Sequence, residues 1–167
     1  YAELCASLLL LQQDTFTEEE AGQADGPFLS AVPALSSAMR RMLLRMKSLT
    51  EAMRALLYYT TGQVDRGTLD NTAAGARGDV LVPMIKAWGT DTGIDVASIG
   101  IQIHGGMGFV EETGAAQHYR DARIAPIYEG TNGIQAADLV TRKLGLENGE
   151  VYASLMADIA RDAADEP

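Results

Sequence analysis

Apolar residues along this chain recur at helical spacing, with little that reads as strand. Leu4, Leu8 and Leu11 line one face of a helix over residues 3–13. The next helix is long, over 35–61. Its apolar positions are Leu35, Met39, Met42, Met46, Leu49, Met53 and Leu56, with Thr60 following. They alternate steps of four and three, the heptad-like seam of helices packed side by side. Thr61-Gly62 is expected to end it. A second long helix is predicted over 79–103, where Leu81, Met84, Ile85, Trp88, Thr92, Val96, Ile99 and Ile103 share a face. Pro83 suits its first turn, and Gly105-Gly106 stops it. A short helix over 114–121, an extended apolar stretch over 124–128 containing Pro126, and a helix over 131–144 follow. After a turn at Asn148-Gly149, Val151, Leu155 and Ile159 mark a closing amphipathic helix over 151–164.

Two stretches break the pattern. Residues 14–33 hold Glu18-Glu19-Glu20, then Gly22, Gly26 and Pro27, and read as a linker or surface insertion. Residues 65–78, rich in Gly, Asp, Asn and Thr, read as a loop. No internal repeat is visible. The expected class is all-α. An antiparallel four-helix-bundle-like domain over 34–147 would be preceded by a partial helix and acidic linker (1–33) and followed by a helical extension (148–167).

Composition narrows what such a domain could do. At 167 residues the chain suffices for one real core. Hydrophobic residues make up 47% and aromatics 6%, so that core is built from Leu, Ile, Val, Ala and Met. The net charge of -10 argues against nucleic-acid binding, which needs clustered Lys and Arg, and against attraction to anionic membranes. Arg40, Arg41, Arg45, Lys47 and Arg54 gather on the first long helix, as a solvated face with pairs such as Lys47 and Glu51. The single cysteine, Cys5, rules out an intrachain disulfide and a Cys-rich zinc site, and reads as a small core residue. No metal site and no membrane span are expected, and a reducing, cytoplasmic setting fits.

Two segments could carry chemistry. In Gln102-Ile103-His104-Gly105-Gly106-Met107-Gly108-Phe109 a helix ends in a glycine-rich turn. Glycines let backbone N–H groups approach a ligand, although a Gly-Gly terminus can equally be a simple cap. In Ile127-Tyr128-Glu129-Gly130-Thr131-Asn132-Gly133-Ile134-Gln135 a carboxylate precedes a helix that Thr131 or Asn132 could cap. Glu129 can be read as a partner of the helix dipole. It can also be read as a general base whose apolar neighbours dry it and raise its proton affinity. Residue chemistry alone leaves the two readings level.

Taken with Tyr119-Arg120-Asp121-Ala122-Arg123-Ile124 between them, these segments match a known signature in order and spacing. The chain resembles the carboxy-terminal helical domain of the acyl-CoA dehydrogenase family, densely over 81–144 and more loosely back to Met39. The resemblance implies oxidation of an acyl-CoA thioester to the 2,3-enoyl-CoA. A Glu would take the Cα proton while a hydride leaves Cβ for flavin N5. It implies that Glu129 is this base, and that its backbone N–H helps hold the thioester carbonyl. Tyr128 and Gly130 would border the acyl chain. Thr131 would contact FAD, and Gln102, Gly105 and Gly106 would meet the FAD of a neighbouring subunit. His104 is expected to be structural, and Arg120, Asp121 and Arg123 to form a charge network holding the loop. Electron-transfer flavoprotein as acceptor and a homo-oligomer, dimer or tetramer, follow from the same resemblance.

Some features depart from the family pattern. Many relatives carry a FAD-contacting Gln where this chain has Gly133. The Asn132-Gly133-Ile134-Gln135 form, the insertion before Leu35 and the tail after Leu144 are similar to a bacterial subgroup. Some members of that subgroup act on short or sulfur-containing acyl-CoAs such as methylmercaptopropionyl-CoA. Family members also have amino-terminal helical and middle β domains. A chain of this length is expected to lack them, and so to bind little flavin and turn nothing over alone. Three rival readings stand beside this one. A non-catalytic helical oligomerisation module would use only the bundle. An acyl-CoA oxidase shares the scaffold but reduces oxygen. An α/β-hydrolase would need a Gly-x-Ser-x-Gly elbow that is missing here.

Overall fold

The computed structural model describes residues 37–165. The expected helix over 3–13, the linker over 14–33, Cys5 and Leu35 lie outside the described residues. The described chain is all-α, as its periodicity predicts, with no strand among the described residues. Its helices are α1 (Ser37–Thr68), α2 (Thr72–Ile103), α3 (Ala115–Ala122), α4 (Asn132–Asp138) and α5 (Glu150–Asp165). Short 3-10 turns at Gly105–Gly108, Glu111–Thr113 and Leu146–Gly149 connect them, and a π turn over Leu139–Lys143 prolongs α4. Among the described residues no helix is long and apolar enough to cross a membrane.

The two long helices overrun their expected ends, and the loop expected over 65–78 shrinks to a tight turn. α1 continues through Gly62, and the reversal falls instead at Asp70, which takes φ 66°. Asn71 then starts α2: its side-chain Oδ1 accepts from the Ala74 N–H at 3.0 Å. The glycines that suggested a loop serve close helix approach. A Cβ on Gly67 would lie 2.6 Å from the Gly75 Cα, and one on Gly78 would lie 2.9 Å from Val64 Cγ2. Pro83 therefore falls inside α2, not in its first turn. It cannot donate to the Asp79 carbonyl, and the helix nonetheless runs on.

The stretch over 124–128 is also not extended. Ile127 and Tyr128 N–H both donate to the Ile124 carbonyl, at 3.0 and 3.2 Å, so the chain coils through successive turns around buried Pro126. Proline's fixed φ suits such a turn as well as it suits a strand edge.

The described positions of the predicted apolar seams are buried or half-buried, with two exceptions. On α1, Met46, Met53 and Thr60 are buried, and on α2, Leu81, Ile85, Thr92 and Val96. Trp88 and Ile159 depart, remaining 39% and 53% exposed. Lys47 pairs with Glu51 at 3.3 Å on an exposed face, where such pairs add little stability.

Backbone contacts divide the chain into two compact units. One unites the described part of 1–54 with 90–128. There Arg45 meets Asp95 at 3.5 Å, and Met46 Cε lies 4.0 Å from a Cβ built on Gly100. The other unites 55–89 with the described part of 129–167, around Val80, Leu81, Val151 and Leu155, with Leu56, Met84, Leu139 and Leu146 packed against them.

Arg77 ties three helices of the second unit together. It donates to Tyr59 Oη at 3.1 Å on α1, and to Asp158 Oδ2 at 2.5 Å and Ser154 Oγ at 2.8 Å on α5. The hydrogen bond from Arg77 holds the Asp158 carboxyl below its ordinary value of 3.8, with Arg161 adding to the effect. A depressed folded-state pKa stabilises the fold above the unfolded value, and that contribution is lost as pH falls through the folded one. Thermal melts of wild type and Asp158→Asn should therefore differ at pH 7 and converge as pH drops below about 3.8. A gap that persisted undiminished in acid would show that the ionised carboxylate is not what Arg77 uses.

Candidate active site

The segment from Tyr128 to Thr131 is a sharp turn between the coiled stretch and α4. Glu129 takes φ 52° and Gly130 φ 87°, so two successive residues are left-handed. For a non-glycine residue this region costs roughly 1–2 kcal/mol, so the surroundings must hold Glu129 there. Gly130 could not be replaced freely: besides its φ, a Cβ there would lie 3.0 Å from Gln135 Nε2. Thr131 caps α4, its Oγ1 accepting from the Ile134 N–H at 3.3 Å. Of the two expected caps, Thr131 is therefore the one used.

Both carbonyls that follow the left-handed residues are gripped by buried side chains. Gln135 Nε2 donates to the Glu129 carbonyl at 3.3 Å, and Gln135 is 9% exposed. Lys86 Nζ, on α2, donates to the Gly130 carbonyl at 2.6 Å and to Asn132 Oδ1 at 3.1 Å. Asn132 in turn donates through Nδ2 to the Ala87 carbonyl at 3.1 Å. The turn's backbone is thus bound to α2 and α4, while the Glu129 side chain stays exposed. Tyr128 and Ile127 beside it are 37% and 49% exposed. The drying of Glu129 expected from apolar neighbours is not provided by this chain's own described residues.

The helix terminus at Gln102 to Phe109 has a different character. α2 ends at Ile103, where the Gly105-Gly106 signal predicts, with Gly105 at φ 61°. His104 Nδ1 lies 2.8 Å from the Gly100 carbonyl of its own helix, a local contact in keeping with a structural role. Gln102, Gly105 and Gly106 are exposed, and a Cβ on either glycine would meet nothing within 4 Å. Gly108 is the opposite case: buried, with a built Cβ only 2.2 Å from the Ile101 carbonyl oxygen. Arg120 donates to Gln117 Oε1 at 2.6 Å and meets Glu111 at 3.4 Å, while Gln117 donates to Asp121 at 2.7 Å. That network binds α3 to the preceding turn and leaves Arg123 exposed outside it.

Gln102, Gly105, Gly106 and Tyr128 belong to the first compact unit, and Glu129, Gly130 and Thr131 to the second. Each set, taken by itself, offers donors of the kind that a flavin's oxygens accept. Gln102 and the two glycines offer an exposed amide and open backbone. Thr131 uses a lone pair for its cap and keeps its hydroxyl proton for an acceptor. At Gly133 the nearest atom to a built Cβ is Thr131 Oγ1, at 3.8 Å, an ordinary contact, so a side chain could begin there without a clash.

Sequence reasoning passed over Lys86. The signal is present: it is the only charged residue between Asp79 and Asp91, set in a largely apolar stretch of the helix. Lysine is almost never fully buried without a partner, so a lone Lys in a stretch that is apolar on all its faces marks something that it holds.

Comparison with known proteins follows the same lines. The family model described as "Acyl-CoA dehydrogenase, C-terminal domain" matches residues 31–144. The chain is 52% identical over 141 residues to a 3-methylmercaptopropionyl-CoA dehydrogenase of Ruegeria pomeroyi, covering 80% of this chain and 24% of the relative. It is 36% identical over 126 residues to a butyryl-CoA dehydrogenase of Syntrophomonas wolfei, covering 72% and 21%. It is 32% identical over 127 residues to a broad-specificity linear acyl-CoA dehydrogenase of Mycobacterium tuberculosis, again covering 72% and 21%. The chain thus spans about a quarter of the length of these relatives.

Proposed function

This chain belongs to the acyl-CoA dehydrogenase family, as its carboxy-terminal domain, and from that premise we propose that Glu129 takes the α-proton of an acyl-CoA thioester in the full-length enzyme. The observation that supports this most is the turn itself: a carboxylate left exposed on a left-handed backbone whose next two carbonyls, of Glu129 and Gly130, are held by buried side chains. A helix-dipole partner would need no such construction. A base must present its oxygen to one carbon, and a fixed backbone limits the search to side-chain rotamers.

In this reading the Glu129 carboxylate accepts the Cα proton. The electron pair of that C–H bond becomes the second bond between Cα and Cβ. Bound FAD supplies the two-electron acceptor for the hydride that leaves Cβ. The Glu129 N–H donates to the thioester carbonyl as negative charge develops there. Tyr128 and Gly130 border the reacting carbons, and the bound acyl chain excludes water from the exposed carboxylate. Gln102, Gly105, Gly106 and Thr131 are the residues that would hold the flavin, with Gln102 and the glycines serving a neighbouring subunit of a homo-oligomer. Electron-transfer flavoprotein is the proposed acceptor. The 167-residue chain tested alone is expected to retain little FAD and to turn nothing over.

The named activity of the Ruegeria relative, at 52% identity, points to a short or thioether-containing acyl-CoA. The test is anaerobic titration of the full-length flavoprotein with a panel of acyl-CoAs. We expect the flavin absorbance to bleach, fastest with 3-methylmercaptopropionyl-CoA or a short straight-chain thioester. If no acyl-CoA bleached it, the dehydrogenase reading would be lost. If only long chains did, the substrate reading alone would fail.

A further inference from the structure

Lys86 is 4% exposed, yet it is an amine on a helix face otherwise built for packing. Burying an ammonium is costly unless its hydrogens find acceptors. A Met or Leu would fill the same space at no such cost. What the charge accomplishes is visible in its partners: the Gly130 carbonyl at 2.6 Å and Asn132 Oδ1 at 3.1 Å. A charge-assisted hydrogen bond is about twice as strong as a neutral one. It is therefore suited to hold a carbonyl that the backbone would rather turn elsewhere.

The backbone at this point is under such strain. Glu129 and Gly130 are both left-handed, at φ 52° and 87°. Relaxing Glu129 to a right-handed φ would rotate the peptide that joins it to Gly130 and swing the carboxylate away. Gln135 holds that peptide's carbonyl, Lys86 holds the next, and Asn132 links Lys86's acceptors back to the Ala87 carbonyl. All of these groups lie in one compact unit, 55–89 with the described part of 129–167. We propose that Lys86 is a positioning residue for Glu129: its buried ammonium, bound to the Gly130 carbonyl and Asn132, locks the left-handed turn that aims the carboxylate. The proposal rests on the reading of Glu129 as base, and Lys86 itself touches neither substrate nor reacting atoms.

The experiment compares Lys86→Met, Lys86→Arg, Asn132→Ala and Glu129→Gln in the full-length flavoprotein. The readouts are flavin content, KM, the rate of anaerobic bleaching and the isotope effect with α-deuterated acyl-CoA. For Lys86→Met we expect wild-type flavin content and KM within about twofold, but bleaching slowed about 10- to 100-fold, as for a misplaced catalytic group. The α-deuterium effect should become larger, because proton removal now limits the rate. Lys86→Arg, which keeps a buried cation and N–H donors, should recover part of the rate. Asn132→Ala should show the same kcat-selective loss in milder form. Bleaching at the wild-type rate in Lys86→Met would overturn the proposal. So would a loss spread equally over flavin content and KM that arginine does not rescue. If Lys86→Met does not fold, Asn132→Ala decides, and wild-type bleaching there counts against the proposal. If neither folds, Lys86 serves folding only and the proposal falls. Glu129→Gln separates the two readings. If it bleaches normally, the base assignment has failed. If it is dead while Lys86→Met is fully active, only the positioning role has failed.

Discussion

Glu129→Gln in the full-length flavoprotein is expected to slow substrate-driven flavin bleaching by on the order of 10²–10⁴-fold, the range typical of a lost general base. The amide has nearly the shape of the carboxyl but cannot accept a proton from carbon at neutral pH. Its backbone demands are the same, so the left-handed φ of 52° is no harder for Gln than for Glu. The grip of Gln135 and Lys86 acts on carbonyls, not on the side chain being changed. Folding, flavin content and KM should therefore stay near wild type while kcat collapses, the pattern of an interaction made only in the transition state. Glu129→Asp should fall between. It keeps a carboxylate but withdraws it by one methylene from a carbon that the pinned turn cannot follow. Rapid mixing with the best acyl-CoA, monitored by flavin absorbance, measures both. A Glu129→Gln enzyme that bleached at the wild-type rate would place the base on another residue. A variant that lost flavin as well as rate would point to a structural role at the turn.

Much of this was legible in the sequence, for reasons that differ by element. The seam of α1 and the core face of α2 were plain because period and burial are the same physics: Met46, Met53, Leu81, Ile85 and Val96 are buried where the spacing puts them. The turn between those helices is ambiguous in the sequence because glycine has two uses. Gly67 and Gly75 looked like loop residues, but they let two backbones touch, and only tertiary contact separates these uses. Pro83 suits a first turn only if the helix starts at 79. With α2 starting at Thr72 it lies inside. The stretch 124–128 looked extended because short apolar runs carry no period that distinguishes strand from turn. At the site, Glu129 stood out through its motif, and Thr131 through the cap it makes. The left-handed φ at a glutamate had no sequence signal at all, since Glu is not a residue that favours it. Lys86 was legible only as an anomaly. Its meaning depends on a residue 44 positions away.

The helix terminus at Gly105–Gly108 allows structure and cofactor contact to be separated by two neighbouring glycines. Gly108→Ala is expected to destabilise the fold by about 3 kcal/mol, the upper range for overpacking a tight site. A Cβ there would lie 2.2 Å from the Ile101 carbonyl oxygen and 2.9 Å from its carbonyl carbon and Cα. All three atoms are backbone of the last turn of α2, so no side chain can rotate away. Either the 3-10 turn lifts off the helix or the helix end unwinds, and both expose Gly108, now buried. Gly106→Ala is the control, since its Cβ would meet nothing within 4 Å. It should leave stability within about 0.5 kcal/mol of wild type, as most exposed substitutions do. If the open backbone at Gly106 meets a flavin, however, that same alanine should raise the Kd for FAD in a reconstitution titration. Urea unfolding of the two full-length variants beside wild type reads the first effect, and the titration reads the second. If Gly108→Ala unfolded at the wild-type midpoint, the turn would not be seated against Ile101. If Gly106→Ala bound FAD as tightly as wild type, the glycines would be a helix stop and no more.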